Sequence, residues 1–486
     1  MYRPFWEMQE WVSGLVFSSL TFICVFLPLV FLAYYAIPHI RFRNYLLILA
    51  SLFFYAFGEP VYVLLMLVST ICNYVFGRII AATRLEKKSQ AKVALVAAIV
   101  VNLAFLAVFK YAGMFVATAD TIFGLSWEIP VVALPIGISF YTFQAISYII
   151  DTYRGEVEAS KSYAKVLLYI SFFPQLTAGP IIKYHDVDKQ LSERTAKIED
   201  ITQGMRRFCI GLGKKVLIAN TMALSADTLY GASPSEVNIA VAWLAAIAYL
   251  LQIYFDFSGY SDMALGLARM FGFRYKENFN YPYISSSIQE FWRRWHISLS
   301  TWFKEYLYFS LGGNRRGRLR ASLNKLVVFF TCGLWHGASW TFVVWGLFHG
   351  FFLMLEEYLP IKKMPKVLGV IYTLLVVTVG FVLFRAETFE QGLHFIAQMF
   401  TGFHFEFAST SLVMEQLTPL FIVVFLVAVV ACTPVKQWLE RRLESFGQLK
   451  RQVLVAGSYV LAFGLLFVCI LSLSGGGYNP FIYFRF

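Results

Sequence analysis

Between Gly333 and Gly346 the sequence reads GLWHGASWTFVVWG, and the group in it that exchanges protons near neutral pH is His336. Gly333 lies three residues before the histidine and Gly337 directly after it, with Ala338 and Ser339 following, so the backbone beside the imidazole is uncrowded and open to a ligand. Trp335, Trp340 and Trp345 are placed to wall a dry slot around it. An imidazole titrates near about 6.5 in water, and dry surroundings favour its neutral form. A neutral imidazole accepts the proton of a hydroxyl as a general base. The competing reading is a core imidazole hydrogen-bonded inside a helix bundle, and residue chemistry alone leaves both open.

A second histidine stands in SSSIQEFWRRWHISLSTWFKEYLYFSLGGNRRGRLR. Helical spacing puts Phe291, Trp295, Leu299, Trp302, Tyr306 and Phe309 on one face and Arg293, His296, Ser300 and Lys304 on the other. This predicts one interfacial helix, aromatic toward the apolar phase and cationic toward water, ending at Gly312-Gly313. Arg315, Arg316, Arg318 and Arg320 follow, a cluster suited to phosphates. Charge alone points first to lipid head groups, with a soluble phosphorylated donor as the alternative.

The elements that must position these groups are membrane helices. Of the 486 residues 58% are hydrophobic and only 14% charged, against roughly 25% charged in soluble domains. Uncharged stretches of spanning length recur from LVFSSLTFICVFLPLVFLAYYAI at 15–37 onward, and no small-residue cleavage site follows the first of them. The formal charge of +12 is a topology signal and does not imply a nucleic-acid partner. Basic segments at 40–43, 83–92, 183–207, 274–320, 361–366 and 436–451 are assigned to the cytoplasm, and the neutral or acidic ones at 118–128, 225–236 and 385–395 to the outside. The apolar run 163–181 has basic flanks on both sides and is broken by Pro174, Gly179 and Pro180, so it reads as re-entrant. The expectation is an all-α polytopic protein forming a single membrane domain over 1–486, with roughly twelve crossings and both termini outside.

Other chemistries find little support. The six cysteines are scattered without a C-x-x-C pair and read as core residues. His336 and His349 do not have the i, i+4 spacing of a helical metal pair, and no H-E-x-x-H is present, so no metal is expected. A hydrolase would want a G-x-S-x-G elbow or paired acids. Asp256 and Asp262 in YFDFSGYSD read instead as binding or helix-packing acids. A transporter or flippase remains as a minor alternative without internal repeats to support it.

The run EFWRRWHISLSTWFKEYLYFSLGGNR, followed about forty residues later by LWHGASWTFVVWGLFHG, resembles the membrane-bound O-acyltransferase family, in particular its bacterial branch acting on exported polysaccharides such as alginate. VFSSLTFICVFLPLVFLAYY, LPIGISFYTFQAISYIIDTYRG, FFPQLTAGPI and YFDFSGYSDMALGLARMFGF are similar to that branch as well. Residues 15–358 make the best-matched core, and 360–475 are additional membrane helices. The resemblance implies a helical fold with a central tunnel, lined near the transfer point by Trp335, Gly337, Ser339 and Trp340. It implies His336 as catalytic base, His296 as the second motif histidine in support, and Arg293, Lys304, Arg315, Arg316 and Arg318 as ligands for the phosphates of an acyl thioester donor. That donor would be acetyl-coenzyme A, or a carrier-protein thioester if the group moved is D-alanyl. Implied partners are a polymer acceptor, an extracytoplasmic SGNH-type acetyltransferase and the lipids of a bacterial inner membrane. The tail at 475–486, GGGYNPFIYFRF, resembles an F-x-Y-F acyl-transfer tail in which Tyr483 is transiently acylated; an aromatic interfacial anchor is the competing reading.

Overall fold

The computed structural model describes residues 15–124, 133–444, 447–476, 478–479 and 481–482, and among these all regular structure is helical. The chain packs as two compact units. One is the chain up to Phe208 with Ser261–Lys276, and the other is Cys209–Tyr260 with the chain from Glu277 onward.

In the first unit, Ile40–Gly58, Tyr62–Thr83 and the bent Lys88–Phe123 are long and apolar enough to span a membrane. Two of them are tied by reciprocal amide bonds between Asn73 and Asn102, at 3.0 and 2.8 Å. Carboxamides at such depth must find each other, because neither lipid nor apolar side chains offer a partner. Ile138–Arg154 is buried almost throughout. The run 163–181 forms Tyr163–Ser171 and Phe173–Leu176, broken at Phe172, and lies buried. Helices of nine and four residues cannot cross a bilayer that needs about twenty.

The second unit holds both motif histidines. Its Lys366–Arg385 and Gln452–Ser474 segments are of spanning length. The window of Gln452–Ser474 is only 11% buried, an apolar surface that suits lipid. Ile198–Tyr230 and Ile239–Met270 bring the described total to seven, or eight if Phe407–Gln416 and Pro419–Ala431, bent by 68°, count as one span. The sequence predicts about twelve. The surplus consists of apolar stretches that form shorter helices, such as Phe22–Ala36, or helices carrying polar groups, such as Arg318–His336. Hydropathy marks a helix buried in protein and one facing lipid alike. All six cysteines are free. Four are buried as expected, whereas Cys24 is exposed and Cys72 partly so.

Candidate active site

His336 ends the Arg318–His336 helix, which pairs with Trp340–Tyr358 as a close hairpin. Glycines set the closeness. A Cβ on Gly333 would fall 2.3 Å from the Phe342 carbonyl oxygen, and one on Gly346 would fall 2.3 Å from that of Phe329. Any side chain there would therefore drive the two backbones apart. Gly337 leaves the helix in extended conformation beneath the Phe342 ring, and Ser339 caps the next helix by accepting from the Thr341 N–H. The GLWHGAS spacing thus encodes a tight corner with an imidazole at its apex.

The imidazole is 5% exposed. Rings of Trp335, Trp345 and Phe384 stand against it with centroids 5.0, 5.0 and 5.2 Å away, all steeply inclined. Two of the three tryptophans expected to wall a slot do so, and Phe384, which the sequence reading missed, completes the enclosure. Trp340 does not belong to a dry wall, because it is 56% exposed.

The predicted interfacial helix is interrupted at the second histidine. Ile288–Arg294 stops at Trp295, His296 takes the left-handed conformation at φ 43°, and Ile297–Trp302 follows, continuing as a wider π-turn over Phe303–Tyr308. For a non-glycine residue this conformation is strained and needs support. Asn278 supplies it. Its carbonyl accepts from Ile297 N–H at 2.9 Å and its side-chain oxygen from Ser298 N–H at 3.0 Å. The same side-chain oxygen lies 3.3 Å from His296 Nδ1, and the Ser298 hydroxyl lies 3.4 Å from that nitrogen.

His296 is wholly buried among Phe257, Phe279 and Trp335, with no hydrogen-bond partner for Nε2 among the described residues. It does not share a solvated face with Arg293 and Lys304, as the helical spacing predicted. Burial pushes its pKa down to about 3. Trp335 lies between the histidines, 6.2 Å from His296 and 5.0 Å from His336.

A cavity of about 480 Å³ has Arg293, Lys304, Lys325 and Glu357 in its lining together with Trp292, Phe329 and Cys332. Cys332 is one helical turn before His336, about 6 Å along the axis. The cavity therefore combines cations with an apolar wall on the very helix that presents the imidazole. The predicted cation set divides here. Arg293 and Lys304 line the cavity, whereas Arg315, Arg316 and Arg318 are exposed around Gly317 and are not part of its lining. The Arg318 guanidinium instead lies over the Tyr358 ring at 4.4 Å. Lys325, unforeseen in the sequence, is ion-paired with Glu357, whose carboxyl that contact and burial act on oppositely, with a net lowering below its ordinary value.

Tyr483 lies outside the described residues, as do Phe484 and Phe486. The tail residues before it fold back onto the helices. The Ile482 N–H donates to Asp256 at 2.8 Å, and the Phe481 ring stands 4.7 Å from Tyr260. Asp262 is held by Arg207 at 2.8 Å, so the two acids of YFDFSGYSD serve separate contacts and form no dyad.

Such a fold defines a polytopic, all-helical membrane protein with an enclosed imidazole one turn beyond a cation-lined cavity. The chain belongs to the membrane-bound O-acyltransferase family, whose profile matches residues 52–360, and is an O-acyltransferase. It is 40% identical over 505 residues to the probable alginate O-acetylase AlgI of Azotobacter vinelandii, an alignment covering 97% of this chain and 100% of that one. It is 36% identical over 425 residues to the peptidoglycan O-acetyltransferase of Helicobacter pylori, covering 80% of each. Similarity extends to the teichoic acid D-alanyltransferase of Bacillus subtilis, 27% identical over 284 residues, 52% of this chain and 69% of that one.

Proposed function

We propose that this chain moves an acetyl group from a cytoplasmic thioester, acetyl-coenzyme A, through the membrane for O-acetylation of an exported polysaccharide such as alginate. The observation that carries the reading is the cavity with Arg293 and Lys304 in its lining and Cys332 on the His336 helix. Cations suit the phosphates of the donor, and the apolar wall suits the arm that bears the thioester. The A. vinelandii relative, named for alginate O-acetylation and aligned over nearly all of both chains, supports this polymer class.

In the proposed reaction His336 takes the proton of an acceptor hydroxyl as its oxygen forms a bond to the thioester carbonyl carbon. The carbon–sulfur bond then breaks, and the departing thiolate recovers the proton from the imidazolium. The first acceptor is the phenol of Tyr483. An outer hydroxyl next attacks the resulting aryl ester, the carbon–phenol oxygen bond breaks, and the proton of that hydroxyl passes to the tyrosine oxygen. The outer acceptor belongs to the polymer or to an extracytoplasmic SGNH-type acetyltransferase. We place the chain in the bacterial inner membrane with basic loops cytoplasmic and both termini outside.

The test is purified His336→Gln protein supplied with labelled acetyl-coenzyme A. The expected result is transfer lowered by about 10² to 10⁴ with unchanged yield and melting. Full transfer by the well-folded variant would overturn the role of His336, and absence of label from parent protein would overturn the donor.

A further inference from the structure

After the Gln448–Ser474 helix the chain reverses at Gly475 and Gly476, the latter at φ +67°. Glycine adopts that conformation without the penalty a side chain would bring. The tail then meets two carboxylates in succession. Tyr478 donates its hydroxyl to Asp227 Oδ2, and four residues later the Ile482 backbone N–H donates to Asp256 Oδ2 at 2.8 Å. Between them Asn479 accepts from Asn220 at 3.1 Å.

The other oxygen of each carboxylate is held by a cation. Asp227 Oδ1 meets Arg385 at 2.5 Å, and Asp256 Oδ1 meets Lys215 at 2.8 Å. The latter pair is deeply enclosed, with Lys215 3% and Asp256 2% exposed. Gly259 allows this approach. One turn beyond Asp256, it lets the Ile239–Met270 helix come so near Lys214–Ala219 that a Cβ there would fall 3.2 Å from the Lys215 nitrogen and 2.7 Å from the Gly211 carbonyl oxygen.

Burying an ion pair in apolar surroundings is costly, and a matched apolar pair would join two helices at least as well. What charge adds here is an ionised oxygen left over on each aspartate. A carboxylate accepting from a backbone N–H makes a strong, directional bond, and both leftover oxygens point at the tail. Ile482 is itself 3% exposed, so its side chain is seated while its N–H is bonded.

We infer that Lys215–Asp256 and Arg385–Asp227 form a two-point clasp for the C-terminal segment, and that their four side chains are positioning residues that present the residue after Ile482 for acyl transfer. The inference rests on the proposed role of Tyr483. A clasp at Tyr478 and Ile482 restrains the chain on the side from which Tyr483 follows, and the donor cavity contributes none of its lining to it. Loss of the clasp should therefore lower turnover without weakening donor binding.

Ile482→Pro tests this directly, because proline lacks the N–H while both ion pairs stay whole. The full-length variant should melt with the parent, lose its C-terminal residues to carboxypeptidase at least tenfold faster, and show kcat down by about tenfold or more with donor KM within about twofold. Ile482→Val, which keeps the N–H, should restore protection and kcat. As a second route, Lys215→Met combined with Asp256→Leu removes the acceptor without leaving a buried charge, and should give the same phenotype. A tail as protected as the parent's in Ile482→Pro, or a released tail with parental kcat, would overturn the clasp. Tyr483→Phe separates the two ideas: if it is inactive while the released tail is active, the clasp fails and the relay stands. If Tyr483→Phe is fully active, the relay fails and the positioning role falls with it.

Discussion

The indole of Trp345 stands at 89° to the imidazole of His336, with ring centroids 5.0 Å apart. The same indole lies 5.1 Å from His349, which is fully buried one turn further along its helix. Trp345 is 1% exposed, and its N–H has no hydrogen-bond partner among the described residues. Its contribution to the site is therefore ring shape and the exclusion of water.

That assignment separates two substitutions. Trp345→Phe keeps a ring and gives up no hydrogen bond, so transfer is expected to stay within about tenfold of the parent. Trp345→Ala leaves a large cavity beside the imidazole, costing about 3 to 5 kcal/mol of stability, and admits water to the base. Melting in detergent and transfer with labelled donor, measured on both, check the prediction. An active, stable alanine variant would show that the enclosure of His336 does not matter.

His296 gives a prediction in pH. Burial holds its pKa down to about 3, whereas in the unfolded chain an imidazole titrates near about 6.5. Below that value the unfolded chain takes up a proton that the folded site refuses. The stability is thus fully present above about 6.5 and falls as pH drops toward 3, by about 1.4 kcal/mol per unit. The melting temperature of the parent should decline more steeply between pH 7 and 5 than that of His296→Asn, a difference of about 2 kcal/mol at pH 5. Parallel declines would mean that His296 is charged in the folded protein.

At His336 the dry, uncrowded surroundings were legible in the sequence because the small residues beside it and Trp335 and Trp345 lie within fourteen residues, whereas the helix hairpin that Gly333 and Gly346 allow shows only in the packing. The break at His296 was not legible, because Asn278, eighteen residues earlier, imposes it through bonds to Ile297 and Ser298. Helical periodicity is blind to a distant side chain that competes for backbone groups. The expected crossings exceed the seven or eight candidate spans among the described residues for a related reason, since apolar composition is shared by buried and lipid-facing helices. Asp256 reads from the sequence as a binding or helix-packing acid, but its partner Lys215 lies 41 positions earlier, and only packing joins them. Lys215 did carry a signal, as a cation inside a spanning segment.

The division of the cations predicts different kinetics for two groups. Arg293→Gln with Lys304→Gln should raise donor KM more than it lowers kcat, because contacts to phosphates far from the reacting carbon bind ground and transition states alike. Glutamine at Arg315, Arg316 and Arg318 should leave donor KM within about twofold and shift the dependence on anionic lipid, worth about 1 kcal/mol per residue at the surface. Kinetics in vesicles of varied anionic-lipid content distinguish the two. A large rise in donor KM from the second set would bring those arginines into the donor site.

The relay through Tyr483 makes the narrowest prediction. A phenol with pKa near about 10 is close enough to a thiol as a leaving group that acetyl should pass between them with little change in free energy. The aryl ester should then acylate an ordinary alcohol readily. Phenylalanine at 483 keeps the aromatic ring that an interfacial anchor needs and removes only the nucleophilic oxygen. Tyr483→Phe is therefore expected to retain yield, melting and C-terminal protection while losing polymer acetylation by at least about 10². Labelled acetyl should appear on a C-terminal peptide of the parent and be absent from the variant. Parental acetylation by Tyr483→Phe would assign the tail to anchoring alone and leave transfer to occur directly between the thioester and an outer hydroxyl.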